Sequence, residues 1–262
     1  MEYALYFTYR CNLSCEYCFI KNFVGSEDKE NKTITPETIK QVCQYIENDI
    51  KTNAREDNWL AFSGGEPCME PGVILDLMAG TSHLNLRYAM YTNGMLLNRL
   101  PDELLEKMHC FLIAIEGDKK IHESYKPTGS YDKILSNVKE IKRRTTAETI
   151  ARLTIQENSN ICRSVGDLAD HFDFVYWQIV NKDSFDNPKA FIDNYTLNIP
   201  KLFDSWKEAL KRGRVLNYIP FSRIVLSQIE NKTIPSFWCG SGSDHQAIDM
   251  HGNIYTCDEF LD

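Results

Sequence analysis

Tyr3-Ala4-Leu5-Tyr6-Phe7-Thr8-Tyr9-Arg10-Cys11-Asn12-Leu13-Ser14-Cys15-Glu16-Tyr17-Cys18 is the stretch that decides the fold. Its first half is an apolar, strand-like run. Its second half is a C-x3-C-x2-C loop, with three cysteines in eight residues. Three thiolates on one short loop can hold three corners of a cubane iron–sulfur cluster. The fourth iron then lacks a local protein ligand and is open to a small molecule. A zinc site fits less well, because zinc takes four N or S ligands in paired knuckles and no nearby Cys or His supplies the fourth.

Outward from this loop the chain alternates strands with helices. Strand-like segments are Glu2–Tyr9, Trp59–Ser63, Leu86–Thr92, Cys110–Ile115, Thr149–Ile155 and Phe172–Val180. Helical patterns fall between them at Pro36–Lys51, Pro71–Ser82, Pro101–His109, Tyr131–Arg144 and Ser164–His171. Thr35-Pro36-Glu37 makes a good helix start, with Thr at the N-cap and Pro at the first position. This order implies an α/β fold with a parallel sheet and helical crossovers. Chemistry then gathers at the carboxyl ends of the strands. The cysteine loop, Gly64-Gly65-Glu66-Pro67, Thr92-Asn93-Gly94 and Glu116-Gly117-Asp118 end the first four strands in turn. Their shared edge argues for one site. Gly25–Thr33 reads as a mobile loop over that edge, and Pro188–Val215 as one or two helices.

The chain has 262 residues, 43% hydrophobic and 25% charged, the composition of an ordinary globular protein of one or two domains. Lys plus Arg is 29 against 37 Asp plus Glu, a net charge of −8. An acidic chain without a basic stripe argues against nucleic acid as partner. The basic stretch Lys139–Arg144 reads as the solvated face of a helix. No apolar run approaches the roughly 18–20 residues that span a bilayer, so no membrane partner is expected. No signal peptide is recognisable, so the expected location is cytoplasmic. Nine cysteines then point to metal or cluster ligation for the clustered ones rather than to disulfides. Cys43 and Cys110 sit in apolar patterns and read as small core residues.

The triplet, with aromatic Tyr17 before its third cysteine, and Gly64-Gly65-Glu66-Pro67 in that order together resemble the radical S-adenosylmethionine enzymes. The resemblance covers roughly residues 1–180. It implies a partial six-stranded (β/α) barrel, similar to a TIM barrel, with a 4Fe–4S cluster in its mouth on Cys11, Cys15 and Cys18. It also implies that S-adenosylmethionine binds the open iron, with its methionyl amino group held by Gly64, Gly65, Glu66 and Pro67. An electron passed into the sulfonium would break a C–S bond and leave a 5′-deoxyadenosyl radical that takes hydrogen from a substrate. The double glycine suits this, since backbone without side chains can approach a ligand closely. Tyr17, Asn93, Glu116 and Arg152 are the further candidate cofactor contacts, with Gln178 behind them. Where many relatives have Ser-x-Asp-Gly this chain has Ala114-Ile115-Glu116-Gly117. No catalytic acid, base or hydrogen donor is assigned, although Asp118, His122 and Tyr125 lie near the right edge.

Beyond about Ser236 the character changes. Cys239 and Cys257 frame Cys-x12-Gly-x4-Cys, with Ala247–Met250 and Asn253–Thr256 flanking a His251-Gly252 turn. This resembles the opening of the SPASM or Twitch extensions, which carry auxiliary 4Fe–4S or 2Fe–2S clusters, so Cys239 and Cys257 are expected metal ligands. Asp258–Leu261 reads as the start of a further helix, and truncation inside the extension is the expectation. A ligand drawn from Cys162 or Cys68 is the other route to a complete auxiliary site. The expected organisation is a core over 1–185, a helical linker over 186–235 and an incomplete extension with a short β-hairpin over 236–262. The resemblance implies a peptide or protein substrate undergoing modification, with a flavodoxin- or ferredoxin-type electron donor. The alternatives are a carbohydrate-type dehydrogenase with a single auxiliary cluster, or a non-catalytic electron-transfer protein.

Overall fold

The computed structural model describes residues 1–20, 33–53, 55–180, 185–231 and 239–261. Eight strands form one sheet in the order β6-β5-β4-β3-β2-β1-β7-β8. These are β1 (Glu2–Tyr6), β2 (Trp59–Ser63), β3 (Arg87–Thr92), β4 (Cys110–Ala114), β5 (Glu148–Ile155), β6 (Phe174–Ile179), β7 (His245–Ile248) and β8 (Ile254–Tyr255). Every neighbouring pair is parallel except β7–β8. Parallel neighbours need long crossovers, and helices supply them. The helices are α1 (Pro36–Asn53), α2 (Pro71–Thr81), α3 (Asp102–Leu105), α4 (Lys119–Tyr125), α5 (Ser130–Arg144), α6 (Ile161–Gly166), α7 (Pro188–Lys211) and α8 (Ile219–Ile229).

Alternation along the strands sorts the sheet into two faces. One face carries Tyr3, Leu5, Leu60, Phe62, Met90, Phe111, Ile113 and Leu153. All are buried in a single core with Val42 and Ile46 of α1, Ile74 and Leu77 of α2, and Ile134, Val138 and Ile141 of α5. The other face has a row of small residues in register, Ala247–Ala4–Ala61–Ala89–Cys110. Ala61, Ala89 and Cys110 form a separate small cluster with Trp59, Tyr91, Leu112 and Ile150. Helices cover the first face, while the second presents this row of short side chains.

The strands expected from the sequence are present, with ends shifted by a few residues. The Thr35 cap holds, its hydroxyl accepting from the Thr38 amide at 3.2 Å. The helix expected over Pro101–His109 shrinks to α3, because His109 already joins the sheet. Its amide donates to the Tyr88 carbonyl at 2.9 Å, and its own carbonyl accepts from Glu148. α4 and α8 were not expected. α7 is one helix that runs through Pro200. The basic stretch is tied up in ion pairs, Lys142–Asp173 at 2.6 Å and Arg144–Asp102 at 2.7 Å. The loop expected over 25–33 lies outside the described residues, apart from Thr33, as do residues 236–238.

The C-terminal hairpin does more than append two strands. β7 pairs in parallel with β1 and extends the same sheet. Its turn is organised by buried Asp249, whose carboxylate accepts from the His251 and Asn253 amides, the Asn253 side chain and the Tyr255 hydroxyl. No helix among the described residues is long and apolar enough to cross a membrane.

Candidate functional site

β1 ends at Tyr6, and the chain continues extended through Thr8 into the cysteine loop. β2 ends beside it. Gly64 and Gly65 are required here by that neighbouring backbone. A Cβ on Gly64, at φ 135°, would stand 2.1 Å from the Thr8 carbonyl oxygen, and one on Gly65 would stand 2.2 Å from that of Arg10. The close approach serves two hydrogen bonds of 2.8 Å, from the Gly65 amide to Thr8 and from the Glu66 amide to Arg10. This adds a reason to the expected one: the double glycine welds the cysteine loop to the end of β2. With both amides engaged, the segment has the Gly64 and Gly65 carbonyls to offer a ligand.

Glu66 is fully buried. One carboxylate oxygen accepts from the Thr92 hydroxyl at 2.6 Å and the Cys68 amide at 3.0 Å, the other from the Asn93 amide at 2.7 Å. Pro67 opens the short 3-10 turn Pro67–Met69 that Glu66 caps. Glu66 therefore ties the end of β3 to the end of β2. Asn93, held by it, reaches back to the loop. Its side-chain amide donates to Asn12 at 2.8 Å and lies 3.8 Å from the Cys11 sulfur.

Cys11 is exposed, Cys15 and Cys18 are half-buried, and none of the three is in a disulfide. Although the residue as a whole is exposed, the protein packed around its sulfur desolvates the Cys11 thiol and pushes its pKa up, and Glu66 and the other two cysteines add to it. Bound iron would reverse this balance, because a cation favours the thiolates. Among the described residues no three His, Cys, Asp or Glu side chains converge where a single ion would sit. Thiolates of a cubane need no such convergence, since each takes its own iron. The donor set and the loop therefore fit a 4Fe–4S cluster better than a mononuclear metal.

At the end of β4, Glu116 is 1% exposed and fully partnered. It accepts from the Tyr17 hydroxyl, from Lys126 at 3.0 Å and from the Thr154 amide at 3.2 Å. It touches the cysteine loop through Tyr17. Lys126, absent from the sequence-based candidates, has no motif to announce it. His122 is a prop for this corner. Its Nδ1 accepts from the Glu116 amide and its Nε2 meets the Ser130 hydroxyl. Burial, then the nearby Lys126 charge, lowers its pKa to about 3, so it is neutral. Asp118 caps α4, and Tyr125 sets its ring edge against Tyr17.

Arg152 lies further along, its guanidinium 5.7 Å from the Tyr91 ring centre and donating to Gln178 at 3.3 Å. Tyr91 donates to Glu2, whose carboxylate also faces His245, and His245 meets Asp258 at 2.8 Å. Burial lowers the His245 pKa, but the bonds to Asp258 and Glu2 outweigh it and raise the value to about 10. This polar chain runs across the face with the alanine row. Sequence reasoning missed it, although the parity of Glu2, Tyr6 and Tyr91 along their strands carried the signal. Cys257 directly precedes Asp258. Cys239 is brought towards it by the Ser241 hydroxyl, which donates to the Thr256 carbonyl at 2.9 Å. Cys68 and Cys162 are engaged elsewhere, with Thr92 and with the Asn198 carbonyl. A cleft of about 400 Å³ lined by Trp59, Arg87, His109 and Glu148 opens at the opposite, amino-terminal end of the strands.

A family model of the Radical SAM superfamily matches residues 5–161, and the chain belongs to that superfamily. It is 24% identical over 278 aligned positions to the radical SAM cyclopropyl synthase TigE of Paramaledivibacter caminithermalis, covering 95% of this chain and 55% of TigE. It is 31% identical over 118 positions to the uncharacterized protein MJ0907 of Methanocaldococcus jannaschii, covering 42% of this chain and 36% of that one. The chain thus spans about half the length, or less, of these curated relatives. Among solved structures, anSMEcpe with bound AdoMet shares the fold at a TM-score of 0.75 and 18% identity, over 99% of this chain and 75% of that one. The same protein with bound AdoMet and the Cp18Cys peptide gives 0.74, at 18% identity, over 99% and 74%.

Proposed function

We propose that this chain is the catalytic part of a radical S-adenosylmethionine enzyme that modifies a peptide or protein. The observation that carries this is the junction of three reduced cysteines on the β1 loop with Gly64–Pro67, sealed by two backbone hydrogen bonds and braced by Asn93. Cys11, Cys15 and Cys18 would hold three irons of a 4Fe–4S cluster. When bound, that cluster and S-adenosylmethionine supply one-electron cleavage of a C–S bond, releasing methionine and a 5′-deoxyadenosyl radical.

The chain's own residues hold, orient and exclude water. The carbonyls of Gly64 and Gly65 suit the methionyl amino group, and Arg152 suits a carboxylate. The sheet acts as a partial barrel, and the space before its alanine row receives the substrate. A peptide substrate is supported by the likeness in fold to a structure that carries a peptide. Cys239 and Cys257 are proposed ligands of an auxiliary cluster, and the electron donor is of flavodoxin or ferredoxin type.

Reduced, anaerobically reconstituted protein incubated with S-adenosylmethionine should form 5′-deoxyadenosine. No product above a Cys15→Ala control would remove this function.

A further inference from the structure

The cysteine loop has no regular secondary structure of its own. Within it the Cys18 amide donates to the Cys15 carbonyl at a long 3.4 Å, and the Leu13 amide donates to the Cys11 sulfur at 3.4 Å. Side chains from other strand ends reach it near both ends. Asn93 braces the Cys11 end. Tyr17, next to Cys18, is anchored on Glu116.

That second anchor is built with unusual care. Lys126 and Glu116 have side chains only 2% and 1% exposed, and their ion pair measures 3.0 Å. Buried charges persist only when paired and hydrogen-bonded. Here Lys126 also donates to the Ala114 carbonyl at 3.0 Å, and Glu116 takes the Thr154 amide as well. An ionised carboxylate is purely an acceptor, whereas a protonated one becomes a donor. The Tyr17 hydroxyl, Lys126 and the Thr154 amide all donate to Glu116, so its side chain serves them as a shared acceptor.

We propose that Tyr17, Glu116 and Lys126 form a positioning relay that fixes the Cys18 end of the loop, with Lys126 keeping Glu116 available as the acceptor for Tyr17. The relay rests on the proposed role of the loop as the cluster site, but its geometry can be tested without any cluster. Lys126 then acts on the site at one remove, through Glu116 and Tyr17.

The test is site-resolved alkylation of the iron-free chain by iodoacetamide, followed by peptide mapping. Loss of one hydrogen bond to a charged group corresponds to about a tenfold effect or more on an equilibrium. Tyr17→Phe should therefore raise the labelling rate of Cys18 about tenfold, leaving Cys11 and Cys239 unchanged. A lone Lys126→Met change would strand a buried charge and risk unfolding. The paired variants avoid this. Glu116→Leu with Lys126→Met removes the acceptor and should match Tyr17→Phe. Glu116→Gln with Lys126→Met keeps an acceptor oxygen, and Lys126→Arg keeps the charge, so both should label as the wild type does. In reconstituted protein Tyr17→Phe and the Glu116→Leu with Lys126→Met pair should lose iron to a chelator about tenfold faster. Wild-type Cys18 labelling in Tyr17→Phe overturns the relay, whether or not the double variants fold. Failure of the wild type to form 5′-deoxyadenosine would overturn the enzymatic function and leave the labelling result standing.

Discussion

Replacing Gly65 by Ala adds one methyl group where two strand ends touch. That Cβ would lie 2.2 Å from the Arg10 carbonyl oxygen, 2.6 Å from its carbon and 2.7 Å from the Tyr9 oxygen. All three are backbone atoms, so no side chain can swing aside. Relief requires Arg10 to move, which strains the two 2.8 Å bonds from Gly65 and Glu66. Overpacking typically costs about 1–3 kcal/mol, and weakening a backbone hydrogen bond about 1 kcal/mol more. A loss of about 3 kcal/mol corresponds to a Tm drop of roughly 6–12 °C for a chain of this size. Gly72→Ala is the control, since a Cβ there meets nothing within 4 Å. It should leave stability unchanged or raise it by up to about 1 kcal/mol. Thermal unfolding of the iron-free chain by circular dichroism measures both. Because Arg10 precedes Cys11, Gly65→Ala should also bind less iron on reconstitution. A Gly65→Ala chain melting within about 2 °C of wild type would refute the argument that the double glycine exists for this junction.

Further outcomes follow from the buried titratable groups and the C-terminal cysteines. His122 has its pKa lowered to about 3 by burial and Lys126. Its neutral form therefore stabilises the fold fully above about pH 6.5, and that contribution is lost as pH falls towards 3. It amounts to about 4–5 kcal/mol at most, so a His122→Gln chain should show a flatter urea midpoint between those pH values. His245 runs the other way. Raised to about 10 by Asp258 and Glu2 against burial, it stabilises fully below about pH 6.5 and loses this as pH rises towards 10. His245→Gln should remove that alkaline slope. If Cys239 and Cys257 hold a second cluster, changing both to Ala should halve the iron from about eight to about four per chain; unchanged iron would discard the auxiliary site.

The sheet was legible because each strand is a short apolar run bounded by turn residues, and because the helix between most pairs shows its own period. Four motifs on one edge followed from that alternation. α4 escaped because buried His122, not an apolar residue, fills its inner face. α8 escaped because only Phe221 of its apolar residues is buried, so no stripe marked it. The pairing of β7 with β1 is a contact between residues more than 240 positions apart, which no local pattern encodes. At the site, the motif residues were legible and their supports were not. Lys126 is one lysine among many on a polar helix end, and only tertiary burial makes it a partner for Glu116. The double glycine was visible, but its reason lay in the carbonyls of Thr8 and Arg10 across the sheet.

The most direct test of the cluster with an open corner is electron paramagnetic resonance on reduced, reconstituted protein, with and without S-adenosylmethionine. Wild-type protein should give a 4Fe–4S signal with a component whose shape changes when S-adenosylmethionine is added, and changing Cys11, Cys15 or Cys18 to Ala should abolish that component. A responsive component that survives the Cys15→Ala change, or a wild-type signal that S-adenosylmethionine leaves wholly untouched, would contradict the assignment of Cys11, Cys15 and Cys18 as ligands of a cluster whose fourth iron binds the cofactor.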